Sequence, residues 1–215
     1  MNVVAPQLAE DLDELMGLKV LIEKDETLSE AILTNEDISK LKVKSFSAKE
    51  LRLEKIDASE AKLEKTNLLD VEILNCNLIA ASMPDSSWQR VLIKNSRCSG
   101  LQLQTSTLKD VTFSDCKLNL VNFRFSKLIN VRFKDCVLDE ADFYSAQLKN
   151  VEFINCSLNK AEFSGSKLVN VDLRSSEITG ILGIAGIAGA TIDSVQLTLL
   201  SPLLASELKI VVKDD

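Results

Sequence analysis

Every fifth residue from Leu53 to Ile178 is apolar, and no other feature of the sequence constrains the fold as strongly. The residues two positions earlier, from Leu51 to Ser176, are small or apolar, and none of them is charged. An α-helix repeats its buried positions every 3.6 residues and a flat strand every two residues. A period of five with two inward positions fits neither of these. It predicts a backbone that runs a few residues along one side, turns a corner and repeats.

A second period, of twenty residues, gives the number of sides. The small inward positions fall into four columns, one of which is valine from Val71 to Val171 and another cysteine or serine from Cys76 to Ser176. Four pentapeptides therefore complete one turn, and like residues stack on like residues. The core ladder expected from this stacking comprises Phe113, Phe123, Phe133, Phe143, Phe153, Phe163, Leu118, Leu128, Leu138, Leu148, Leu158, Leu168, Cys116, Cys136 and Cys156.

Individual repeats identify a family. Ala141-Asp142-Phe143-Tyr144-Ser145 and Val121-Asn122-Phe123 consist of a small residue, a polar residue and then phenylalanine. This pattern resembles the consensus of the bacterial pentapeptide-repeat proteins over residues 51–180, and more weakly back to Ala31. The resemblance implies an all-β fold, a right-handed quadrilateral β-helix, and the residues at both ends of the repeats predict short helical caps. We expect about 6.5–7.5 coils, and hence a rod roughly 31–36 Å long.

The chain accordingly divides into an N-terminal helical cap (1–30), a pentapeptide-repeat β-helix (31–180) and a C-terminal helical cap (181–215). Residues 6–16 are typical of a short helix, with Pro6 at its first position and Gly17 just after its end. Such a segment would cover the first coil or, alternatively, serve as an acidic docking arm.

The fivefold register breaks after Thr179, and Thr191–Leu208 predicts one or two helices. Ser201 and Pro202 would begin a helix, and Ile210–Val212 would form a final strand. This tail resembles that of the family members that protect type II topoisomerases and confer quinolone resistance. It either caps the last coil or caps it and also forms a homodimer, so the chain is a monomer or a C-terminal dimer. The cap or dimer residues are Leu199, Leu200, Leu203, Leu204 and Leu208.

The sequence offers little chemistry. It has no histidine, which removes the commonest general base and metal ligand. A straight ladder of cysteines matches neither disulfide geometry nor tetrahedral zinc, so we interpret it as packing. We therefore expect no catalytic residues, no metal, no cofactor and no enzymatic activity. Trp88 is assigned to the core, whereas Phe125 falls on an outward corner near Tyr144, and these two residues are the candidate surface contact.

Three functional classes compete for this chain: a protein-interaction or scaffolding module of unknown partner, a DNA mimic that binds DNA gyrase or topoisomerase IV and modulates quinolone susceptibility, and an enzyme. A mimic of DNA needs a dense acidic stripe. Residues 51–180 instead balance their acidic and basic residues, and no loop interrupts them. This favours the interaction module and argues against nucleic acid as a direct ligand.

Two features bear on location. The N-terminus lacks a secretory signal and the chain has five cysteines, an odd number, which together predict a reducing, cytoplasmic compartment. No polybasic or amphipathic basic segment indicates a membrane surface.

Overall fold

The computed structural model describes residues 1–23 and 27–213, which form twelve strands, two α-helices and one 3₁₀ turn. The strands are β1 Asp13–Leu15, β2 Leu28–Thr34, β3 Lys42–Val43, β4 Phe46–Glu54, β5 Lys62–Leu63, β6 Thr66–Leu74, β7 Ser87–Lys94, β8 Thr107–Ser114, β9 Lys127–Lys134, β10 Gln147–Ile154, β11 Lys167–Asp172 and β12 Ala190–Thr191. The helices are α1 Leu18–Glu23 and α2 Ser194–Glu207, and the 3₁₀ turn is Ile184–Ile187.

Ten of these strands stack into one parallel sheet, in the order β1-β2-β4-β6-β7-β8-β9-β10-β11-β12. The register advances by one twenty-residue turn, so that Phe113 pairs with Phe133 and Val131 with Val151. Single bridges such as Asn122 to Asp142 continue the same register around the other sides. The chain is thus a parallel β-solenoid of about nine turns, and its ten stacked strands span ~43 Å.

The coil count expected from the sequence was too low. The strand β1 pairs with β2 (Asp13 with Ala31), so the stack begins well before the clear repeats. At the other end β12 pairs with β11 (Val171 with Ala190) after the fivefold register has broken. Backbone pairing therefore extends the solenoid at both ends, where the apolar period is no longer visible in the sequence.

One coil, residues 126–145, serves to name the four sides. Side 1 is residues 126–130, side 2 is 131–135, side 3 is 136–140 and side 4 is 141–145. Positions that differ by a multiple of twenty lie on the same side. Between Glu30 and Asn170 nearly every residue whose number is a multiple of five has a left-handed backbone, with φ between +49° and +60°. These residues turn the corners.

The interior is a continuous apolar shaft. Phe113, Phe133 and Phe153 stack with ring centroids 5.1 and 4.9 Å apart, and Phe123, Phe143 and Phe163 stack on the opposite side of the shaft at 5.3 and 5.0 Å. The two ladders meet edge to face at 6.0–6.5 Å, a favourable geometry for aromatic rings. The leucines and cysteines of the predicted core ladder, like Trp88, are buried in the same cluster.

The helix predicted over residues 6–16 is wrong. Residues 1–12 form no helix, residues 13–15 are the strand β1, and Gly17 lies at the start of α1, where its carbonyl accepts from Leu21 N–H. Pairing with β2 outweighs the helical propensity of this short segment, since isolated helices of this length are marginal. It is α1 that closes the first coil, by burying Leu18 and Ile22.

The C-terminal helix was predicted in the right region but with the wrong start. The helix α2 begins at a capping box in which Asp193 and Gln196 each bond the other's backbone N–H, and Pro202 lies inside it. The carbonyl of Thr198, which Pro202 cannot serve, accepts from the Ser201 hydroxyl at 2.8 Å. The predicted strand at Ile210–Val212 is also wrong, because these residues are exposed and belong to no strand.

The glycines of the tail explain where the fivefold register stops. A Cβ at Gly186 would lie 1.7 Å from the carbonyl oxygen of Phe163, so only glycine fits there. The 3₁₀ turn consequently presses directly onto the last coil. Within the described residues, no helix has both the length and the apolarity that crossing a bilayer requires.

Candidate protein-interaction surface

Side 4 carries an exposed aromatic cluster built from two neighbouring coils. Phe125 and Tyr144 meet edge to face, with ring centroids 5.6 Å apart and an interplanar angle of 84°. The guanidinium of Arg124 lies 4.5 Å from the Tyr144 ring and 5.8 Å from the Phe125 ring. A cation over an aromatic face is attracted by the ring quadrupole, so the three side chains hold one another in place.

A hydrogen-bond network fixes this cluster from below. Asp142 pairs with Arg124 at 3.2 Å and also accepts the Tyr144 N–H at 2.9 Å. Asn122 accepts the Arg124 N–H at 3.0 Å and donates to Gln102 on the preceding coil at 2.8 Å. The aromatic rings are therefore presented by a rigid backbone, and little side-chain freedom remains to be lost on binding.

The backbone under Phe125 is unusual for its residue type. Phe125 has φ +59° and is 54% exposed, and the preceding corner residue, Leu120, has φ +58° and is 57% exposed. Left-handed conformations cost L-residues about 1–2 kcal/mol, and asparagine and aspartate tolerate them best. Most other corners carry polar residues or glycine. Folding alone therefore does not explain why one coil places exposed apolar residues at two strained corners.

The surroundings of the cluster are poor in charge. From Ser82 to Ser145 the outward positions of side 4 are mainly uncharged, and the corner leading into side 4 includes Ala80 and Gly100. Interface cores are depleted in charge, and energetic hot spots favour tyrosine and arginine. Phe125 and Tyr144 were found from the sequence because they fall on one side of the solenoid. Arg124, Asp142 and Leu120 were missed, although the apolar corner at Leu120 was a visible signal.

The helix α2 exposes a second apolar surface. Of the five predicted cap or dimer leucines, Leu200 is buried and Leu204 packs against the core, so these two cover the last coil. Leu199, Leu203 and Leu208 are exposed, as are Val195 and Leu197, which sequence analysis did not single out. An open groove lined by Ile184, Ile187, Ile192, Leu200, Leu204 and Leu208 lies beside the helix.

A buried glutamine anchors this helix. Gln196 Nε2 donates to the carbonyls of Leu173 and Ser176, both at 2.6 Å, and the side chain is 5% exposed. These carbonyls belong to the last complete coil and have no further coil to bond. Gln196 thus supplies the end of the solenoid with the donors that a following strand would have given. The repeat pattern did not predict that Gln196 would cap the last coil.

The cysteine column is a set of buried thiols that hold corners. Cys116 Sγ donates to the carbonyl of Ser114 at 3.2 Å, and Cys136 Sγ to that of Lys134 at 3.2 Å. Ser96, in the same column, bonds the carbonyl of Lys94 at 2.9 Å through its hydroxyl. A small side chain with one donor is what the position requires. All five cysteines are free, and in the described part of the chain no group of three or more His, Cys, Asp or Glu could hold a metal.

Comparison with known proteins finds a family match within the repeats. Residues 106–181 match the family model described as a pentapeptide repeat region. No curated protein sequence matches the chain.

Two solved structures illustrate the structural likeness. The first is trypsin-treated QnrB1, a plasmid-mediated fluoroquinolone resistance protein, at 21% identity over 87% of this chain and 100% of that one, with a TM-score of 0.35. The second is HetL, a pentapeptide repeat protein involved in heterocyst differentiation regulation in the cyanobacterium Nostoc, at 15% identity over 76% of this chain and 86% of that one, with a TM-score of 0.31.

Proposed function

This chain belongs to the pentapeptide-repeat proteins, and from that premise we propose that it is a non-catalytic protein-interaction module whose contact surface is centred on Phe125 and Tyr144. The observation that carries the proposal is the exposed Phe125–Tyr144–Arg124 cluster, which is held rigidly on a charge-poor side at a strained corner. Strain that folding does not require is a mark of function. The partner is a protein that presents a complementary apolar patch, in a reducing compartment that keeps the five thiols free.

The test separates binding from folding. Phe125→Asn combined with Tyr144→Ser removes both rings and places a residue suited to left-handed backbone at the corner. This variant should be at least as stable as the parent protein, because relief of strain is worth about 1 kcal/mol, yet it should lose the partner. The measurements are thermal unfolding and capture of binding proteins on immobilised chain.

The matched control is Val169→Asn with Val20→Asn. Both residues are exposed and apolar but lie away from the cluster, on side 1 and on α1, so this control should keep any specific partner. Proteins retained equally by the parent and both variants would contradict the proposal. So would a Phe125→Asn, Tyr144→Ser variant that still binds a partner lost by the control.

The distribution of charge favours this module over a DNA mimic. Side 2 pairs its opposite charges between coils, as in Arg52–Glu72 and Arg132–Glu152, both at 2.8 Å. Side 1 exposes five lysines, which are Lys49, Lys109, Lys127, Lys149 and Lys167. Duplex DNA carries one negative charge per ~1.7 Å of its axis, and neither side offers such a stripe. A gyrase supercoiling assay tests the alternative: inhibition or quinolone protection at stoichiometric protein would favour the mimic.

We also propose that the exposed side of α2 forms a homodimer. The helix is apolar on faces that the last coil leaves uncovered, at Val195, Leu199 and Leu203. Light scattering should give twice the chain mass, and Leu199→Gln with Leu203→Gln should give a folded monomer. Thr198→Gln, on an exposed polar position of α2, is the control that should stay dimeric. A parent chain that is monomeric throughout would contradict the dimer.

A further inference from the structure

The first twelve residues lie lengthwise along the solenoid. Gln7 N–H donates to Asp70 Oδ1 at 2.9 Å across 63 positions of sequence. Farther along, Arg132 Nη2 donates to the carbonyl of Met1 at 3.0 Å, and the amino group of Met1 pairs with Glu152 at 2.8 Å. The segment leaves the first coil at β1 and runs back over the coils that follow. We call residues 1–12 the strap.

The strap is nearly fully extended. Gln7 is six residue steps from Met1, and an extended chain of that length reaches ~20 Å. Asp70 and Glu152 lie about four coils apart, or ~19 Å along the axis. The chain therefore crosses the strands at right angles with no slack, and its backbone groups meet side chains rather than a strand edge.

The surface under the strap is a ladder of amides and carboxylates. The corner strip, as we name it, consists of the left-handed residues between sides 1 and 2 together with two neighbours on side 2: Asp70, Arg90, Asp110, Asn130, Asn150, Asn170, Arg132 and Glu152. Within it Asn130 donates to Asp110 at 3.1 Å, Asn150 to Asn130 at 2.9 Å and Asn170 to Asn150 at 2.9 Å. The strip thus presents polar groups at the spacing of the coils.

Two carboxylates of the strip are unusually well covered for a surface corner. Asp70 is 4% exposed and Asp110 is 6% exposed. Asp70 is held by two bonds from Arg90, both at 2.6 Å, and turns its Oδ1 to the strap as well. An ion pair anchored to the wall of the solenoid therefore receives the peptide N–H, and the receiving group is already in place before the peptide arrives.

The strap itself is held lightly. None of its side chains is buried, and those of Val3, Pro6, Leu8, Ala9 and Leu12 are only half-covered. Beyond Met1 the strip continues as an open groove of about 340 Å³ that Asn2, Asn150, Asn170 and Asp172 help to line. The corner strip receives backbone groups, the strap buries none of its side chains, and the groove beyond Met1 is unfilled. These three features together are those of a peptide-binding site whose present occupant can be displaced.

We propose that the corner strip is a binding site for an extended peptide segment of a partner protein and that the strap occupies it in cis, as an autoinhibitory segment. The partner's segment has the chemistry of the strap: extended, with small or β-branched side chains and without bulky residues facing the strip. Side 1 separates this site from the Phe125–Tyr144 cluster, so the site stands independently of the function proposed above.

The test uses the full-length chain in which residues 2–11 are replaced by a Gly-Ser sequence of equal length. The probe is a synthetic peptide of residues 1–12 with a fluorophore at its C-terminus, followed by fluorescence anisotropy. We expect saturable binding of the peptide to the chain with the Gly-Ser replacement, called the replaced chain. The parent chain should bind the peptide at least about tenfold more weakly. The reason is that the strap leaves only a fraction of the sites free, and the apparent affinity falls in proportion to that fraction. An N-acetylated peptide should bind more weakly, since it cannot pair with Glu152.

Substitutions locate the site. Glu152→Gln in the replaced chain should weaken binding of the free-amine peptide to the level of the acetylated one. Glu72→Gln, on the same side but paired with Arg52 instead of the strap, should leave binding unchanged. Circular dichroism and the fluorescence of the buried Trp88 verify folding. A folded replaced chain that does not bind the peptide, or binds it equally after Glu152→Gln and Glu72→Gln, would overturn the proposal.

A measurement on the parent chain tests the proposal even if the replaced chain does not fold. The Gln7 amide should exchange its hydrogen more slowly than the same amide in the free peptide, because it donates to Asp70. Gln7→Pro, which removes this donor and keeps an extended backbone, should make the parent chain bind the probe. Two results would contradict the proposed role of the strap. One is a Gln7 amide that exchanges as fast as in the free peptide, and the other is a Gln7→Pro chain that binds the probe no better than the parent chain.

Discussion

At the scale of single residues, the corner positions show how the fold selects its sequence. The left-handed backbone recurs every five residues, and Asn or Asp occupies it at Asn75, Asp115 and Asn155. Their side chains add a ladder of their own, as where Asn155 donates to Asp135 at 3.2 Å. A residue type that tolerates the turn also links one coil to the next. Phe125 and Leu120 neither tolerate the left-handed backbone well nor form hydrogen bonds between coils through their side chains. Their presence at corners therefore indicates a function.

The cysteine column leads to a prediction about reactivity. Burial raises the pKa of Cys76 to about 11, and a hydrogen bond with Cys116 together with burial raises the pKa of Cys136 to about 12. The reactive thiolate is therefore scarce at about pH 8. Ellman's reagent should label almost no thiol in the folded protein and all five in guanidinium chloride.

The same shifts fix the direction of the pH dependence. Since a raised pKa favours the protonated thiol, these groups contribute their full stability below 9.0, and the contribution is lost as the pH rises toward the raised values. Rapid labelling of a cysteine in the folded protein, at a rate independent of unfolding, would contradict this account of the column.

At the scale of elements, the two ends are closed by different means. The helix α1 plugs the first coil with the apolar side chains of Leu18 and Ile22. The helix α2 closes the last coil with the apolar side chains of Leu200 and Leu204 and with the polar cap Gln196. Both ends of a solenoid carry strand edges that need covers. The C-terminal cover meets that need by hydrogen bonding as well as by burial.

Gln196→Met should show how much this cap contributes. The substitution keeps the shape of the side chain but leaves the buried carbonyl of Ser176 without its donor, while that of Leu173 keeps only the Ser176 N–H. A buried unpaired group costs about 1–3 kcal/mol, so we expect a loss of roughly 2–3 kcal/mol in denaturant unfolding. Gln147→Met, at an exposed position of β10, is the control and should change stability by less than about 0.5 kcal/mol. Equal effects of the two substitutions would show that the cap is dispensable.

The coils before Trp88 are packed less well than those after it. They contain an apolar cavity of about 40 Å³ lined by residues that include Leu53, Ala58, Leu63 and Ile73. The interior positions here are mainly aliphatic, whereas later coils alternate phenylalanine with leucine. Since cavities cost about 24 cal/mol per Å³, Ala58→Val should stabilise the protein by roughly 1 kcal/mol.

Ala141→Val is the matched control for this cavity. Ala141 is fully buried on side 4 among the stacked phenylalanines, so a larger side chain there should overpack the core and lower stability by about 1–3 kcal/mol. Thermal unfolding compares the two valine variants. If Ala58→Val destabilised the protein as much as Ala141→Val, the aliphatic coils would be as tightly packed as the phenylalanine coils.

At the scale of the whole molecule, the strap joins distant coils through charged groups, which makes it sensitive to acid. Burial alone would raise the pKa of Asp70, but hydrogen bonds from Arg90 and Gln7 outweigh it and hold the pKa below its ordinary 3.8. Burial of Glu152 is likewise outweighed by bonds from the Met1 amino group and Arg132, which lower its pKa from the ordinary 4.5. A lowered pKa gives stabilisation that is complete above these ordinary values and is lost as the pH falls below them.

The strap should therefore leave the corner strip in acid before the solenoid unfolds. A nitroxide on Asn2→Cys, which can be attached selectively because the native thiols are unreactive, should become mobile between about pH 5 and about pH 3 while the circular dichroism signal persists. A nitroxide on Ser87→Cys, at an exposed strand position, should not change. A strap label that stays immobile until the solenoid itself melts would refute this pH dependence.

The sequence by itself determined the shaft, the four sides and the corners. These features follow from local rules that every repeat obeys, so that each inward position is apolar and each corner tolerates a left-handed backbone. The pairing of Phe125 with Tyr144 could be predicted for the same reason, since a fixed register brings residues about twenty positions apart together. The orientation of Arg124 over both rings depends on side-chain packing and was not foreseen.

Only the tertiary structure decided what happens where the repeat stops. Residues 6–16 look helical in isolation, yet the edge of β2 captures residues 13–15 as a strand and the strap continues along the corner strip. Gln196 looks like an ordinary helical residue until the last coil offers it two carbonyls. The strap joins residues 63 positions apart and obeys no period, whereas Gln196 reaches carbonyls 20 and 23 residues earlier, at the spacing of the coils, from a helix. These contacts form because a finished solenoid presents edges and ladders that no local stretch of sequence describes.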